Sequence, residues 1–361
     1  MSGQNHRLDW VDSAKGISII LVVMMYSVFN VGQDASGVGI FHYVIGFATP
    51  FRMPEFFLIS GLFLDQVIAR SWRAYTDRRA VHYLYFYAVW AVIHLVLKIG
   101  IMSAAPGEAL TDILWAIVEP YGVLWFIYLL AAFSLASKFF YELKAPRWAV
   151  WAFGAAFQMA HIQTGSYLVD QFCAYFVFFY SGYIFAPLLF RLVDFAIGHK
   201  RLALLGLAIY AVVNVSLVFS PGYAVLPTEI QLGYAGLPGV RLLLAIAGAV
   251  ALCTTAGLIT GLRGTRWLTW LGEHSIVVYL VFVLPMSFVR IGLAKVGLIH
   301  DVSLSSFLVI VLSIAFSVGL YGLVQWSGRA KFLFERPAWA HIPGTKGSRS
   351  YAPPANTVPA E

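Results

Sequence analysis

The sequence predicts an all-α integral membrane protein of about ten transmembrane helices. Of its 361 residues, 60% are hydrophobic and 11% charged, whereas a soluble domain carries roughly 25% charged residues. Mean hydropathy is +0.79. The apolar residues recur in blocks along the whole chain, many close to the ~20 residues a helix needs to cross the hydrocarbon core. Lysine and arginine alternate from loop to loop, as the positive-inside rule demands of a multi-pass protein.

The expected spans lie near 14–32, 42–69, 79–102, 122–138, 147–162, 172–194, 202–220, 239–262, 274–296 and 304–327. The second contains Pro50 and Pro54 and is expected to be broken or kinked, because proline removes a backbone donor and clashes with the preceding turn. Segments 108–119 and 222–236 are too polar or interrupted to span and read as loops or interfacial pieces. Loops 32–41, 103–121, 163–171, 221–238 and 297–303 contain no lysine or arginine. The opposite side carries Arg7, Arg70, Arg73, Arg78, Arg79, Lys138, Lys144, Arg147, Lys200, Arg201, Arg263, Arg266, Arg329, Lys331 and Arg336. This places both ends in the cytoplasm.

The domain reading is a cytoplasmic N-terminus over 1–12, a transmembrane domain over 13–328 and a cytoplasmic, largely disordered tail over 329–361. The tail after Trp339 is rich in Pro, Gly and Ser, a composition that buries too little apolar surface to order itself. The polar start MSGQNHRLDW and the absence of a small-residue cleavage site predict a retained first helix and no cleavable signal peptide. Cys173 and Cys253 sit inside apolar runs with no metal-ligand spacing and are expected to be buried small hydrophobes. The net charge of +7 resides in short membrane-flanking loops, so it reflects topology and no nucleic-acid partner is expected. No Walker loop, GxSxG or HExxH motif is present.

Ionisable groups inside a membrane are expensive and mark candidate sites. Lys15 and Tyr26 on the first helix are eleven residues apart, which at ~100° and 1.5 Å per residue puts them on one face about 16 Å apart. Lys15 reads either as a snorkelling interfacial lysine or as a contact for an anion entering from the cytoplasm. Tyr26 reads as a packed aromatic or as a group facing a deeper cavity. Arg52 and Glu55, three residues apart, can pair on one helix face, either as a structural ion pair or as the wall of a polar chamber beside the proline break. Arg78 and Arg79 are ordinary positive-inside charge or a phosphate site, since guanidinium matches phosphate geometry. His82, His94, Lys98, His161, Asp170 and Arg241 read as structural or interfacial. Glu273, His274 and Ser275 open the ninth span, where they can cap it.

The phrases LDWVDSAKGISIILVVMMYS, FRMPEFFLISGLFL, TDRRAVHYLY, VLWFIYLL and LGEHSIVVYL, in this order, resemble the acyltransferase-3 family of membrane-bound O-acyltransferases. The resemblance runs from about Leu8 to Trp326. It implies transfer of an acyl group from cytoplasmic acyl-CoA to a hydroxyl of an envelope sugar or polysaccharide, in a bacterial inner membrane. It also implies no permanently bound cofactor or metal. Lys15 matches the family's basic position near the start of the first helix. The histidine usual eleven residues later is Tyr26 here. Arg52 falls where members often have His, Arg78 and Arg79 match the basic run near CoA, and Trp125 belongs to the LWF signature. Ser275 and Tyr279 match the ninth helix, where Phe282 stands in the region of a further family His. The resemblance therefore implies catalytic roles at Tyr26 and Arg52 and donor binding at Lys15, Arg78 and Arg79, with Glu55 as the further catalytic candidate beside Tyr26. A phenol of pKa about 10 is a far weaker base than imidazole. The residues thus leave open an enzyme using another group, an active variant, and a non-catalytic or transport protein on the same scaffold. The acyl group, the acceptor and the oligomeric state are not specified.

Overall fold

The computed structural model describes residues 2–102, 111, 114–297 and 301–350. In chain order its helices are α1 (Ser2–Ala35), α2 (Ile40–Ala48), α3 (Arg52–Gly61), α4 (Asp65–Ile68), α5 (Trp72–Thr76), α6 (His82–Met102), α7 (Trp125–Glu142), α8 (Arg147–Met159), α9 (Tyr167–Gly198), α10 (Lys200–Val218), α11 (Pro238–Ile259), α12 (Arg266–Glu273), α13 (Ser275–Val281), α14 (Val283–Lys295) and α15 (Val302–Ser327). A two-residue hairpin, β1 (Ala224–Val225) against β2 (Ile230–Gln231), decorates the α10–α11 loop. The protein is all-α and membrane-spanning, as expected.

Seven helical segments among the described residues are long and apolar enough to cross a membrane: Asp9–Ala35, Trp72–Leu97, Gly122–Glu142, Tyr167–Gly198, Lys200–Val218, Pro238–Ile259 and Val302–Ser327. The pair α13–α14, bent by 51°, is a broken span or a re-entrant loop and brings the total to eight in the first case. The bend falls at Phe282, one turn before Pro285, where the missing proline N–H interrupts the ladder. The expected second and fifth spans fall short of this length. Helix α8 has 13 residues, a rise of only about 20 Å. The second span is divided into α2 and α3 around Thr49–Phe51.

That break is chemically supported, which is why it can sit in an apolar setting. Thr49 Oγ1 donates to Ile45 O at 2.7 Å, and Thr49 N–H reaches Gly46 O at 3.3 Å. The fully buried Asn214 of α10 donates from Nδ2 to Phe47 O at 2.9 Å. The carbonyl released by Pro50, Gly46 O, and the neighbouring Ile45 O and Phe47 O therefore find partners without water.

The chain divides into two compact units, Met1–Asp65 with Lys144–Ser327, and Gln66–Leu143 with Gly328–Glu361. In the first, Trp10, Leu58, Leu189, Val193, Cys253 and Ala256 belong to one buried core, and Cys173 and Cys253 are buried free thiols. Its helices approach through glycine. A Cβ on Gly182 of α9 would strike Leu58 O of α3, and one on Gly61 would strike Phe179 O. Such small-residue contacts let helix backbones pack closely in lipid. Because the obstacle is backbone, Gly182→Val is expected to destabilise the folded protein by about 3 kcal/mol, the upper part of the overpacking range. Gly206→Ala, where nothing lies within 4 Å, should leave stability nearly unchanged. Thermal melts of the two purified variants compare them directly.

In the second unit, α5 runs through a π turn, Asp77–Val81, into α6. Tyr75 donates to Ser134 O of α7 at 2.7 Å. Lys138, expected among the loop charges, is instead only 1% exposed. Its ammonium donates to Ile68 O at 2.8 Å and Arg70 O at 2.9 Å and pairs with Glu142, so it ends α4 and fixes the following basic segment. Residues 331–350 depart from the expected structureless tail. They form 3₁₀ turns at Lys331–Leu333 and Ala338–Ala340. Tyr85 donates to Phe332 O at 2.9 Å and Trp90 Nε1 to Leu333 O at 3.1 Å. Polar composition alone hid this because the ordering comes from hydrogen bonds and one buried ion pair, described below. The expectation for 351–361 lies outside the described residues, as do the side chains of Arg7 and Lys98.

Candidate functional site

Arg52, the first residue of α3, is 7% exposed, and its Nε and Nη1 have no hydrogen-bond partner. The expected Arg52–Glu55 pair does not form. Glu55, fully buried, takes a short hydrogen bond through Oε2 from Ser18 of α1, and its Oε1 is unpartnered. Both residues lie on α3, but the Glu55 carboxylate is engaged by Ser18 and not by Arg52. Two phenols, Tyr175 of α9 and Tyr26 of α1, lie within electrostatic range of the Arg52 guanidinium. Tyr26 also packs on Phe282 at the α13–α14 bend, with ring centroids 5.5 Å apart, and Phe282 lies 6.4 Å from the Tyr279 ring. The bend thus delivers the ninth-span motif to the first-helix tyrosine. Ser275 and Tyr279 are both buried.

Beside this cluster lies a cavity of about 620 Å³ whose lining includes Pro50, Pro54, Gln158, His161, Asp170, Tyr175 and Arg241. Gln163 and Gln171 add two further amides. Arg241 Nη1 lies 3.0 Å from His161 Nε2. Arginine only donates, so Nε2 is the acceptor nitrogen of that ring. Asp170 Oδ1 accepts from Thr164 N–H at 2.7 Å and from its hydroxyl at 2.9 Å, which fixes the wall loop. His161, Asp170 and Arg241 read individually as structural or interfacial residues. They are up to 80 residues apart in sequence, so no local pattern announces that they share a cavity.

The second unit holds a cavity of about 600 Å³ lined by Arg70, Arg78, Arg79, His82, Arg336 and Lys346, with Asp77 as its carboxylate. Arg78 and Arg79 are presented by the π turn, a device that inserts an extra residue into the helical ladder and is frequent at functional sites. Arg336 Nη2 meets Asp77 Oδ2 at 2.8 Å, and Ile342 N–H donates to Oδ1 at 2.7 Å. The Asp77 charge is therefore already engaged, whereas the remaining cations face the cavity. The lining therefore carries a net positive potential.

Of the other expected site residues, Lys15 forms an ion pair with Asp12 at 3.0 Å and is 30% exposed in its side chain. It belongs to the first unit and the arginine pair to the second. Trp125 opens α7 with its side chain largely buried, beside the buried Leu124 and Phe126. No group of three or more His, Cys, Asp or Glu side chains among the described residues is arranged to hold a metal.

Fold and site define a multi-pass membrane protein with a buried guanidinium that has no carboxylate partner in one unit and a basic cavity in the other. The acyltransferase-3 model, described as an acyltransferase domain, matches residues 8–322, nearly the whole chain, and the protein belongs to this family. No curated protein and no solved structure matches the chain significantly.

Proposed function

We propose that the protein is an O-acyltransferase of a bacterial inner membrane, with both termini cytoplasmic. It moves an acyl group, acetyl in the simplest case, from acyl-CoA to a hydroxyl of an envelope sugar or polysaccharide. The observation that carries this reading, beside family membership, is the unpaired Arg52 guanidinium among Tyr26 and Tyr175. The acceptor oxygen attacks the thioester carbonyl carbon, its proton passes to a base, and the C–S bond breaks to release CoA, which takes up a proton. Negative charge collects on the carbonyl oxygen during the attack, and Arg52 is the buried donor suited to stabilise it. Tyr26 and Glu55 are the groups assigned to the acceptor proton. The amide-rich cavity, with its Gln, Asp and Arg side chains beside Tyr175 and Phe178, offers the mix of hydrogen bonds and aromatic faces that suits a sugar. The CoA phosphates are assigned to Arg78 and Arg79.

Tyr26 in place of a histidine favours a second reading, in which the scaffold binds or moves its ligands without chemistry. O-acyl content of envelope glycans, measured by mass spectrometry in a null strain carrying this chain, separates the two. The enzyme reading expects an added acyl mass on the glycan. An unchanged mass profile with verified expression would transfer support to the non-catalytic reading.

A further inference from the structure

The family match ends at residue 322, yet Arg336, His341, Thr345, Lys346 and Gly347 line the basic cavity. We infer that this tail segment is a working part of the donor site, with Asp77 holding it in place and Lys346 supplying a phosphate contact. The inference rests on the reading that this cavity receives acyl-CoA.

The hold on the tail is specific. Arg336 reaches Asp77 twice, from Nη2 to Oδ2 at 2.8 Å and from Nη1 to the backbone carbonyl at 2.7 Å. His341 Nδ1 lies 3.1 Å from Oδ2, and Ile342 N–H donates to Oδ1 at 2.7 Å. The Arg336 and Asp77 side chains are 5% and 4% exposed, so this pair is sheltered from screening in a way that surface pairs are not. Beyond it the chain turns through Gly347 at φ +104°, where a Cβ would come within 2.6 Å of the His341 ring. The turn carries Lys346 to the cavity wall.

Latching alone would not require a lysine there. Lys346 is exposed, and like Arg78 it has neither an ion pair nor a hydrogen bond among the described residues. Arg79 Nε and Arg336 Nε are buried without partners. The one carboxylate in the lining is committed to the latch. Unspent donors on the π turn and on the tail thus face one cavity, an arrangement whose charge a multi-phosphate ligand would balance.

The test titrates CoA itself into the full chain in lipid nanodiscs, comparing the protein as given with Arg79→Ala, Lys346→Glu, Lys346→Arg and Asp77→Asn. Lys346→Glu is expected to raise the Kd about tenfold, equivalent to ~1.4 kcal/mol, without lowering the melting temperature. Lys346→Arg should stay within about twofold, because it keeps the charge. Asp77→Asn should weaken CoA binding by loosening the latch. The Lys346→Glu defect should shrink in high salt, as contacts exposed to solvent are screened, a response that a purely structural tail would not give. If Arg79→Ala weakens CoA binding and Lys346→Glu does not, the tail inference falls and the donor site stands. If the protein as given binds no CoA, the donor site falls and the inference with it.

Discussion

Replacing Arg52 by alanine is expected to lower acyl transfer by about 10²–10³-fold, the usual effect of removing one preorganised donor from a developing oxyanion. It should do so without unfolding the protein. Arg52 forms no ion pair, and its buried Nε and Nη1 bond to nothing, so little native structure depends on it. A buried cation without a carboxylate is costly, and the alanine protein should melt at the same temperature or higher. Arg52→Lys keeps the charge and loses the planar fork, and should fall between the two. Rates in isolated membranes, read beside melting temperatures, check this. A structural arginine would instead lower both together. Glu55 gives the contrasting case. Ser18 has one hydroxyl proton and two acceptors, Ala14 O at 2.9 Å and Glu55 Oε2. Glu55→Gln, whose amide can donate to Ser18 Oγ, should therefore preserve the fold, whereas Glu55→Ala leaves a void in the core.

Tyr26→His is expected to raise the rate, by as much as the ~10²–10⁴-fold that a positioned general base contributes. Imidazole titrates near neutral pH and a phenol near 10, so only the histidine accepts the acceptor proton readily in the cell. The substituted ring still faces Phe282, whose centroid is 5.5 Å from that of Tyr26. Tyr26→Phe keeps this packing and removes the hydroxyl, and should lower the rate at least tenfold if the phenol handles the proton. Initial rates of all three proteins at matched expression decide the matter. Equal rates for tyrosine, phenylalanine and histidine would remove position 26 from the chemistry and leave Glu55 as the group to test.

The all-α, membrane-spanning class was legible because apolar helices declare themselves by composition, which needs no tertiary information. The break at Pro50 and Pro54 was equally visible, since proline chemistry is local. What covers the break was not, because the Asn214 amide that caps Phe47 O comes from a helix 167 residues away. The i,i+3 spacing allowed an Arg52–Glu55 pair, but the partner of Glu55 is Ser18 on another helix, and spacing cannot weigh that competition. Loop position alone puts Lys138 among the solvated charges, although two backbone carbonyls and Glu142 hold it inside. The tail to residue 350 shows the same limit. Its composition is that of a disordered segment, and a buried Asp77–Arg336 pair overrides it. Arg78 and Arg79 were visible as a basic pair, whereas the π turn that presents them and the Arg336 and Lys346 side chains that share their cavity were not.

The most direct test of the account supplies purified protein in lipid nanodiscs with radiolabelled acetyl-CoA and envelope glycan from a null strain, and follows label on the glycan. The account predicts alkali-labile label on the glycan for the protein as given and a loss of about 10²-fold or more for Arg52→Ala. Glycan that stays unlabelled in the presence of folded protein that binds CoA, or equal labelling by the Arg52→Ala protein, would contradict it.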